Sequence, residues 1–350
     1  MSKLECKDLR VSYFGYDDSI CGFSAEFSDG FNVIFGGEKG GKTTLLKALA
    51  GIITSKGDIF LDGHDIRFMP QKDRNFAFVF DDYGLFNRRS VMYNLIYPFR
   101  LRKYPKDLCC EMAHKAAALF DLEVMIEAPV YKLTEWHKVA LALCRAFMRG
   151  ADVTFIDNVF ARLDINTRRE AFRRFMPLLS SNGIIVYATD SAEEAAFLSN
   201  DIYYLNYGYL LQKGSISDFR DKPSCASAFM TFRENASLLT GKITENGVEV
   251  AGAVVPFDLS RLIGDNYIGK EVLVGVRPQD FEMVSDGVKG EVLGRFFSHE
   301  GYLYYWLIDN ETPVYIFSDN KLEVNAEFCF RVKNVFSLFD IGNERSVLRY

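Results

Sequence analysis

A glycine-rich loop near the start of the chain constrains the fold more than any other segment. Residues 36–43 read Gly-Gly-Glu-Lys-Gly-Gly-Lys-Thr and fit the pattern G-x-x-x-x-G-K-S/T. The apolar segment 31–35 before the loop is predicted to be a short buried strand. The segment after it is predicted to be a helix that carries Leu45, Leu46 and Leu49 and ends at Gly51. A strand, a glycine-rich turn and a helix in this order are typical of a loop that binds phosphates.

The residue types in this loop suit a nucleotide and Mg²⁺. Glycines let backbone N–H groups turn towards phosphates, and the helix N-terminus adds partial positive charge. Lys42 is expected to reach the β- and γ-phosphates, and the Thr43 hydroxyl to hold Mg²⁺. Asp157, at the end of the apolar segment 153–156, is the second expected Mg²⁺ ligand, acting through water. The candidate nucleotide-binding residues of the loop are Gly36, Gly37, Glu38, Lys39, Gly40, Gly41, Lys42, Thr43 and Thr44.

The first two thirds of the chain alternate apolar strands with helical segments. Segments 153–156 and 184–188 are two further apolar runs, and each follows a helical segment. This alternation predicts an α/β domain with a mainly parallel central sheet. Between about residues 84 and 132 no strong strand pattern occurs and 108–122 resembles a helix, so a helical insertion is expected there.

The last third has a different pattern. Helical patterns nearly vanish after Phe232, and turn residues separate five predicted strands at 248–255, 271–276, 302–308, 314–317 and 328–332. We therefore predict two domains, an α/β domain over residues 1–232 and an all-β domain over residues 236–350. Residues 222–235 link them.

Composition excludes several classes of protein. The 350 residues carry a formal net charge of −6 without a dense basic cluster, so nucleic acid is not an expected ligand. No apolar run reaches about 18 residues, and the N-terminus lacks the apolar core of a signal peptide. The seven cysteines have no metal-ligand spacing, which fits a reducing cytoplasm. A role at a membrane would therefore depend on a partner subunit.

Further segments resemble the ATP-binding subunits of ABC transporters, and within them the sugar-importer branch typified by the maltose-importer ATPase. The resemblance covers nearly the whole chain. The matching segments are 57–63 after the first helix, 70–74 and 79–80 before the Q-loop, Leu163-Asp164 in the D-loop, 187–189 with 193–195 at the switch, and 275–278 with 338–340 near the C-terminus. The C-terminal matches imply an oligosaccharide-binding-like barrel, the TOBE domain.

The resemblance implies partners and an additional binding residue. Members of the family act as head-to-tail dimers at the cytoplasmic face of a membrane and contact permease subunits, here through Tyr83, Leu85, Phe86, Tyr93 and Leu95. These five residues are alternatively part of a helical core. The aromatic ring that stacks on adenine corresponds to Tyr13, with Phe14 as the second choice, and either ring is alternatively a core residue.

The chain departs from the family at the positions that hydrolyse ATP. Asn158 occupies the position of the catalytic Glu, Asp190 that of the switch His, and Asp81 that of the Q-loop Gln, where a carboxylate is still able to reach Mg²⁺. Loss of a positioned base typically slows a reaction by about 10²–10⁴-fold. No catalytic residue is therefore expected to be intact.

The signature loop, Leu-Ser-Gly-Gly-Gln in the family, also differs. Here it consists of Leu133, Thr134, Glu135, Trp136 and His137. Thr134 keeps a hydroxyl, but Trp136 is expected to fill the space that a phosphate needs, and Glu135 to place a negative charge beside it. Within the phosphate loop Lys39 replaces a family Gly, and it is expected to be solvated or to offset the charges of Asp81 and Asp190.

Three hypotheses follow from these departures. The leading one is the ATP-binding subunit of an importer, with hydrolysis impaired or lost and with an identical or an intact second subunit. The branch of the family that the chain resembles implies a carbohydrate as the transported solute. The second is a nucleotide-binding regulator or scaffold without a direct transport role. The third is an active enzyme in which Asp81 or Asp190 supplies the base.

Overall fold

The computed structural model describes residues 2–13, 18–179, 183–198, 201–233, 235–298, 301–308, 312–319, 321–324 and 327–350. The chain divides into two compact units, Met1–Lys213 and Gly214–Tyr350. None of the helices in the described ranges is long and apolar enough to span a membrane.

The first unit contains two sheets and six helices within the described residues. Its strands are β1 Lys3–Ser12, β2 Asp18–Ser28, β3 Gly30–Phe35, β4 Lys56–Leu61, β5 His64–Asp65, β6 Phe76–Val79, β7 Val153–Asp157, β8 Ile184–Thr189, β9 Ile202–Asn206 and β10 Tyr209–Gly214. Its helices are α1 Lys42–Leu49, α2 Val91–Leu101, α3 Lys106–Leu119, α4 Glu135–Arg149, α5 Ile165–Leu179 and α6 Ala192–Leu198. Single 3₁₀ turns occupy Gln71–Asp73, Glu123–Met125 and Val130–Lys132.

The larger sheet has the order β10-β9-β3-β8-β7-β6, and β3 pairs in parallel with both β8 and β9. Strand β7 pairs in parallel with β6 and β8. The predicted parallel sheet is therefore present, and the carboxyl ends of β3, β7 and β8 lie side by side. In the register Thr189 is opposite Phe35, and Asp157 is opposite Ala188. The residues that follow these three strands consequently meet at one edge of the sheet.

A second sheet, antiparallel with order β2-β1-β4-β5, was not predicted from the sequence. Its inward side chains, including Leu4, Leu9 and Phe27, share one buried core with α1 and the parallel sheet. The helices of the predicted insertion are α2 and α3. Helix α3 covers 106–119 rather than the predicted 108–122, because Pro105 immediately precedes its first turn.

The second unit begins with two short helices, α7 Ile216–Asp221 and α8 Ala226–Thr231. Its strands are β11 Ser237–Thr244, β12 Gly247–Val250, β13 Ala253–Val255, β14 Glu271–Val276, β15 Phe281–Ser298, β16 Gly301–Ile308, β17 Thr312–Ser318, β18 Glu327–Val332 and β19 Ser337–Asp340. The 3₁₀ turns are Leu259–Arg261, Asp265–Tyr267 and Pro278–Asp280.

These strands form two sheets, β13-β12-β11-β14-β19 and β17-β16-β15-β18, around one core that includes Val274, Tyr304 and Trp306. The predicted strand 248–255 is two strands, because Ala251 and Gly252 both have positive φ and turn the chain into a hairpin. The β-rich character of this region agrees with the predicted fold class.

The unit boundary differs from the domain boundary predicted at residue 232. Phe229 of α8 packs against Phe336 and Phe339 and is fully buried with residues of the second unit. The segment 214–232 therefore packs as part of the second unit, although its helical pattern resembled that of the first.

Candidate functional site

The phosphate loop joins β3 to α1 at the carboxyl edge of the parallel sheet, and two of its glycines are required by the structure. A Cβ on Gly36 would lie 2.1 Å from the carbonyl oxygen of Leu205. Gly41 has φ of 98°, a left-handed conformation that side chains disfavour. Gly37, by contrast, faces open space. The loop is thus held close to β9 on one side and open on the other.

Lys42 lies under the loop and is largely buried. Its Nζ donates hydrogen bonds to the carbonyl oxygens of Gly36 (2.8 Å) and Gly37 (2.7 Å). Burial lowers the pKa of Lys42, while the charges of Asp190, Asp157 and Glu38 act in the opposite direction. The lysine is therefore a buried cation that is bonded to two loop carbonyl oxygens and feels the charges of the three carboxylates at longer range.

A cleft of about 360 Å³ lies against the loop. It is lined by Asp18, Ser19, Lys39, Gly40, Gly41, Lys42, Thr43, Thr44 and Tyr207. Glu38 and Lys39 are exposed, and Lys39 has a left-handed φ of 60°. No ion pair joins Lys39 to Asp81 or Asp190 in the part of the chain that the structure describes.

The proposed metal ligands meet beside Lys42. Asp157 is only 2% exposed, and its Oδ2 has no hydrogen-bond partner. Burial raises the pKa of Asp157, and a hydrogen bond with Thr43 partly offsets the rise. A buried carboxylate oxygen without a partner fits a cation, since a bound Mg²⁺ would balance its charge.

Asp81 is exposed at the same edge, and its charge also raises the pKa of Asp157. Among the described residues, however, no group of three or more His, Cys, Asp or Glu could hold a metal. Mg²⁺ would therefore need phosphate oxygens in addition to Thr43 and Asp157.

Two tyrosines lie near the mouth of the cleft. The Tyr13 hydroxyl is 3.4 Å from Thr44 Oγ1, and its ring is half exposed. Phe14, the second choice for the stacking ring, lies outside the described residues. Tyr207, which the sequence analysis missed, lines the cleft with 79% of its surface exposed. The only signal in the sequence was an aromatic residue inside an Asn-Tyr-Gly turn.

The turn that carries Tyr207 is fixed to the phosphate loop. The Gly208 N–H donates to the Gly40 carbonyl oxygen at 3.1 Å. A Cβ on Gly208 would lie 2.5 Å from the carbonyl oxygen of Ser19, so glycine is needed there. Tyr207 is consequently held beside the loop by backbone contacts on both sides.

The residues at the two hydrolytic positions bind each other. Asn158 Nδ2 donates to Asp190 Oδ2 at 3.2 Å. Arg168 Nη2 donates to Asp190 Oδ1 at 2.8 Å, and Arg168 Nε donates to Glu194 Oε1 at 2.7 Å. We call Asn158, Arg168, Asp190 and Glu194 the switch network. Arg168 was missed by the sequence analysis, because it lies on a polar face of α5 and matches no motif that marks a site.

Electrostatics keep Asp190 and Arg168 charged. Burial acts to raise the pKa of Asp190, but Arg168, Asn158 and Lys42 together lower it below its ordinary value. Burial likewise acts to lower the pKa of Arg168, but Glu194 and Asp190 raise it overall. Asp190 is therefore a stable anion and a weak base, which weighs against its predicted alternative role in proton abstraction.

The signature segment has contacts that the sequence did not predict. Thr134 caps α4, and its Oγ1 lies 2.7 Å from His137 Nδ1. Glu135 pairs with Lys138 at 2.7 Å and accepts a hydrogen bond from the Tyr83 hydroxyl at 2.9 Å. The charge of Glu135 is thus paired with a lysine of the same helix.

The ring of Trp136, which is expected to fill the space of a phosphate, packs on Phe175 of α5 at a centroid distance of 5.0 Å. Leu133 is buried. Burial lowers the pKa of His137, and the charge of Asp121 acts against this. Among the described contacts, no side chain of Leu133–His137 hydrogen-bonds the phosphate loop.

Comparisons with known proteins agree with this geometry. The sequence profile of the ABC transporter family matches residues 22–161, which include the phosphate loop and Asp157. The trehalose/maltose import ATP-binding protein MalK of Thermococcus litoralis is 30% identical over 76% of each chain. The sn-glycerol-3-phosphate import ATP-binding protein UgpC of Burkholderia pseudomallei is 30% identical over 80% of each chain.

A third relative is the oligosaccharides import ATP-binding protein MsmX of Bacillus subtilis, 28% identical over 80% of this chain and 79% of its own. Because they cover more of the chain than the first unit contains, these similarities reach into the second unit, and they confirm the resemblance and the fold class inferred from the sequence. The chain belongs to the ABC transporter family, as one of its ATP-binding proteins.

Proposed function

We propose that the protein is the ATP-binding subunit of an ABC importer for carbohydrates, in which hydrolysis is impaired or lost. The printed names of its relatives, which include importers of oligosaccharides and of trehalose and maltose, support the carbohydrate class. Lys42, Thr43 and Asp157 would hold the nucleotide and Mg²⁺ at the phosphate loop. The ion would supply positive charge to the phosphate oxygens.

The switch network is the observation that carries the loss of hydrolysis. The Asn158 amide cannot accept a proton, and its Nδ2 is already bonded to Asp190. Asp190 in turn is bonded to Arg168 and has a lowered pKa, so it is a poor base. A water molecule next to these residues would therefore lack a group that could deprotonate it.

Permease subunits are the proposed membrane partners. The helical insertion has an aromatic group in which the ring of Phe86 lies edge-on to Tyr93 (5.7 Å) and Tyr97 (4.6 Å). Phe86 and Tyr97 line a cleft of about 240 Å³ that could receive a side chain from a partner's helix. The second partner is another ATP-binding subunit, identical or an intact paralogue. These contacts would place the protein in the cytoplasm, at the inner face of the membrane.

The alternative proposal is a regulatory or scaffold protein that binds nucleotide without driving transport. The same switch network supports this alternative, because a site that binds ATP without hydrolysing it can still change a partner's activity when the nucleotide binds. Charge substitution at Tyr93 separates the two proposals. Tyr93→Glu should abolish transport by the importer under the first proposal and leave transport unchanged under the second.

Calorimetry with Mg²⁺–ATP and Mg²⁺–ADP tests the nucleotide site. We expect binding by the full chain, its loss in Lys42→Ala, and its retention in Lys56→Ala, which removes an exposed lysine from β4 outside the cleft. A phosphate-release assay on the same samples should show no turnover above the Lys42→Ala background. Absence of nucleotide binding would refute the proposed nucleotide site. Turnover that depends on Lys42 would refute the proposed loss of hydrolysis.

A further inference from the structure

Asp190 lies at the point where the switch meets the phosphate loop. It directly follows β8, and the carbonyl oxygen of the preceding residue, Thr189, accepts a hydrogen bond from the Gly36 N–H at 3.3 Å. The charges of Asp190 and Lys42 affect each other's pKa, Asp190 acting to raise that of Lys42 and Lys42 to lower that of Asp190. The Asp190 carboxylate is therefore within electrostatic range of the cation that a nucleotide's phosphates would need, although no ion pair joins the two groups among the described residues.

The carboxylate is also fixed in place from behind. Each of its oxygens accepts a hydrogen bond, Oδ1 from Arg168 and Oδ2 from Asn158. Arg168 is anchored by Glu194, and Glu194 accepts hydrogen bonds of 2.5 Å from the hydroxyls of Tyr187 and Thr189. Since only 18% of the Arg168 side chain is exposed, withdrawal of Asp190 would leave a poorly hydrated arginine.

A fixed anion next to Lys42 affects nucleotides unequally. The α- and β-phosphates can use the N–H groups of the loop and of the first turn of α1. A γ-phosphate adds further negative charge, and the positive charge of Lys42 is already opposed by Asp190 and Asp157. Like charges a few ångströms apart in a partly buried site repel strongly.

We propose that this site selects nucleoside diphosphates over triphosphates, with the Asp190 carboxylate occupying the electrostatic position of a terminal phosphate. The inference rests on the proposed nucleotide site and deepens it. In contrast to a site that has only lost its catalytic groups, such a site would be held in the state that an active relative reaches after hydrolysis.

Competitive calorimetry of the full chain with Mg²⁺–ADP, Mg²⁺–ATP and a non-hydrolysable ATP analogue provides the test. The wild type should bind ADP at least about tenfold more tightly than either triphosphate, and tenfold corresponds to about 1.4 kcal/mol. Asp190→Asn keeps the side chain's shape and an acceptor for Arg168 but removes the charge. It should strengthen triphosphate binding about tenfold and change ADP binding less than about twofold.

Glu193→Gln is the matched control, because it removes a carboxylate three residues away that pairs with Arg169 on the surface. It should leave the ratio of the two affinities unchanged. Asp190→Ser is a second variant that removes the same charge, in case Asp190→Asn fails to fold. Thermal unfolding of each variant shows whether it is folded. The ratio of the ADP and ATP affinities of the wild type tests the proposal without any variant.

Equal or tighter binding of triphosphate by the wild type would overturn this inference and leave the nucleotide site intact. A parallel change in both affinities in Asp190→Asn would also overturn it. Absence of binding by any nucleotide, or binding unaffected by Lys42→Ala, would instead overturn the proposed function.

Discussion

Arg168 is the residue that joins the two carboxylates of the switch network. It bonds Asp190 and Glu194 at once, and Asp190 in turn holds Asn158. The two departures at the hydrolytic positions are therefore parts of one bonded group rather than independent losses. Around them, Asp157 keeps an unpartnered buried oxygen that suits a metal.

Arg168→Ala should destabilise the protein by about 3–5 kcal/mol, because it leaves two carboxylates without their partner. Urea unfolding at neutral pH measures the change. Since the pKa of Asp190 is lowered, its stabilising contribution is complete above its ordinary pKa of 3.8 and is lost as the pH falls below that value. The difference between wild type and Arg168→Ala should therefore shrink in acid.

The matched control is Arg169→Ala, one residue along the same helix. Its pair with Glu193 is 51% and 54% exposed, so its loss should cost less than about 1 kcal/mol. Equal losses for the two variants would contradict the role given to the switch network.

At the scale of elements, the site depends on three parallel strands that end at the same edge. Strand β3 leads into the phosphate loop, β7 ends at Asp157, and β8 precedes Asp190. Hydrophobic patterns predicted these strands because each is a short, mostly apolar run that is largely buried. The antiparallel strands β1 and β2 were missed, since their patterns are interrupted by charged residues and by bulges at Leu9 and Val11.

The phosphate loop approaches β9 so closely that there is no space for a side chain at Gly36. Gly36→Ala should cost about 3 kcal/mol or more in unfolding free energy, because its Cβ would collide with the backbone oxygen of Leu205. Gly37→Ala, where the structure leaves open space, should change stability by less than about 1 kcal/mol. Chemical denaturation followed by circular dichroism measures both, and a larger loss for Gly37→Ala would contradict this packing.

At the scale of the whole molecule, the sequence contains two tryptophans that report on different units. Trp136 lies in the first unit and Trp306 in the core of the second. They can therefore show to which unit the segment 214–232 belongs. The sequence placed this segment with the first domain, whereas the structure packs it with the second.

Phe229→Ala should lower the stability of the second unit by about 3–5 kcal/mol, because it opens a cavity under Phe336 and Phe339. In a Trp136→Phe background, the Trp306 fluorescence transition should move to lower denaturant concentration. Trp136 fluorescence, read in a Trp306→Phe background, should not move. Met230→Ala, at an exposed neighbour, is the control, and a shift confined to Trp136 would favour the boundary at residue 232.

The sequence by itself determined the local features of this protein. Strand, loop and helix are contiguous between residues 31 and 49, so their order and glycine content predicted the phosphate loop and Lys42. The replacement residues Asn158 and Asp190 were equally visible, since each follows a recognisable apolar strand. Local pattern was sufficient wherever the interacting groups are neighbours in the chain.

Only the tertiary structure decided which groups the replacement residues contact. Arg168 and Glu194 are 26 residues apart, Trp136 and Phe175 are 39 apart, and Tyr207 lies far along the chain from the loop that it adjoins. No periodicity relates such positions, because strand pairing and helix packing bring them together. The motifs therefore indicated a nucleotide site, and the folded sheet edge determined which charges surround it.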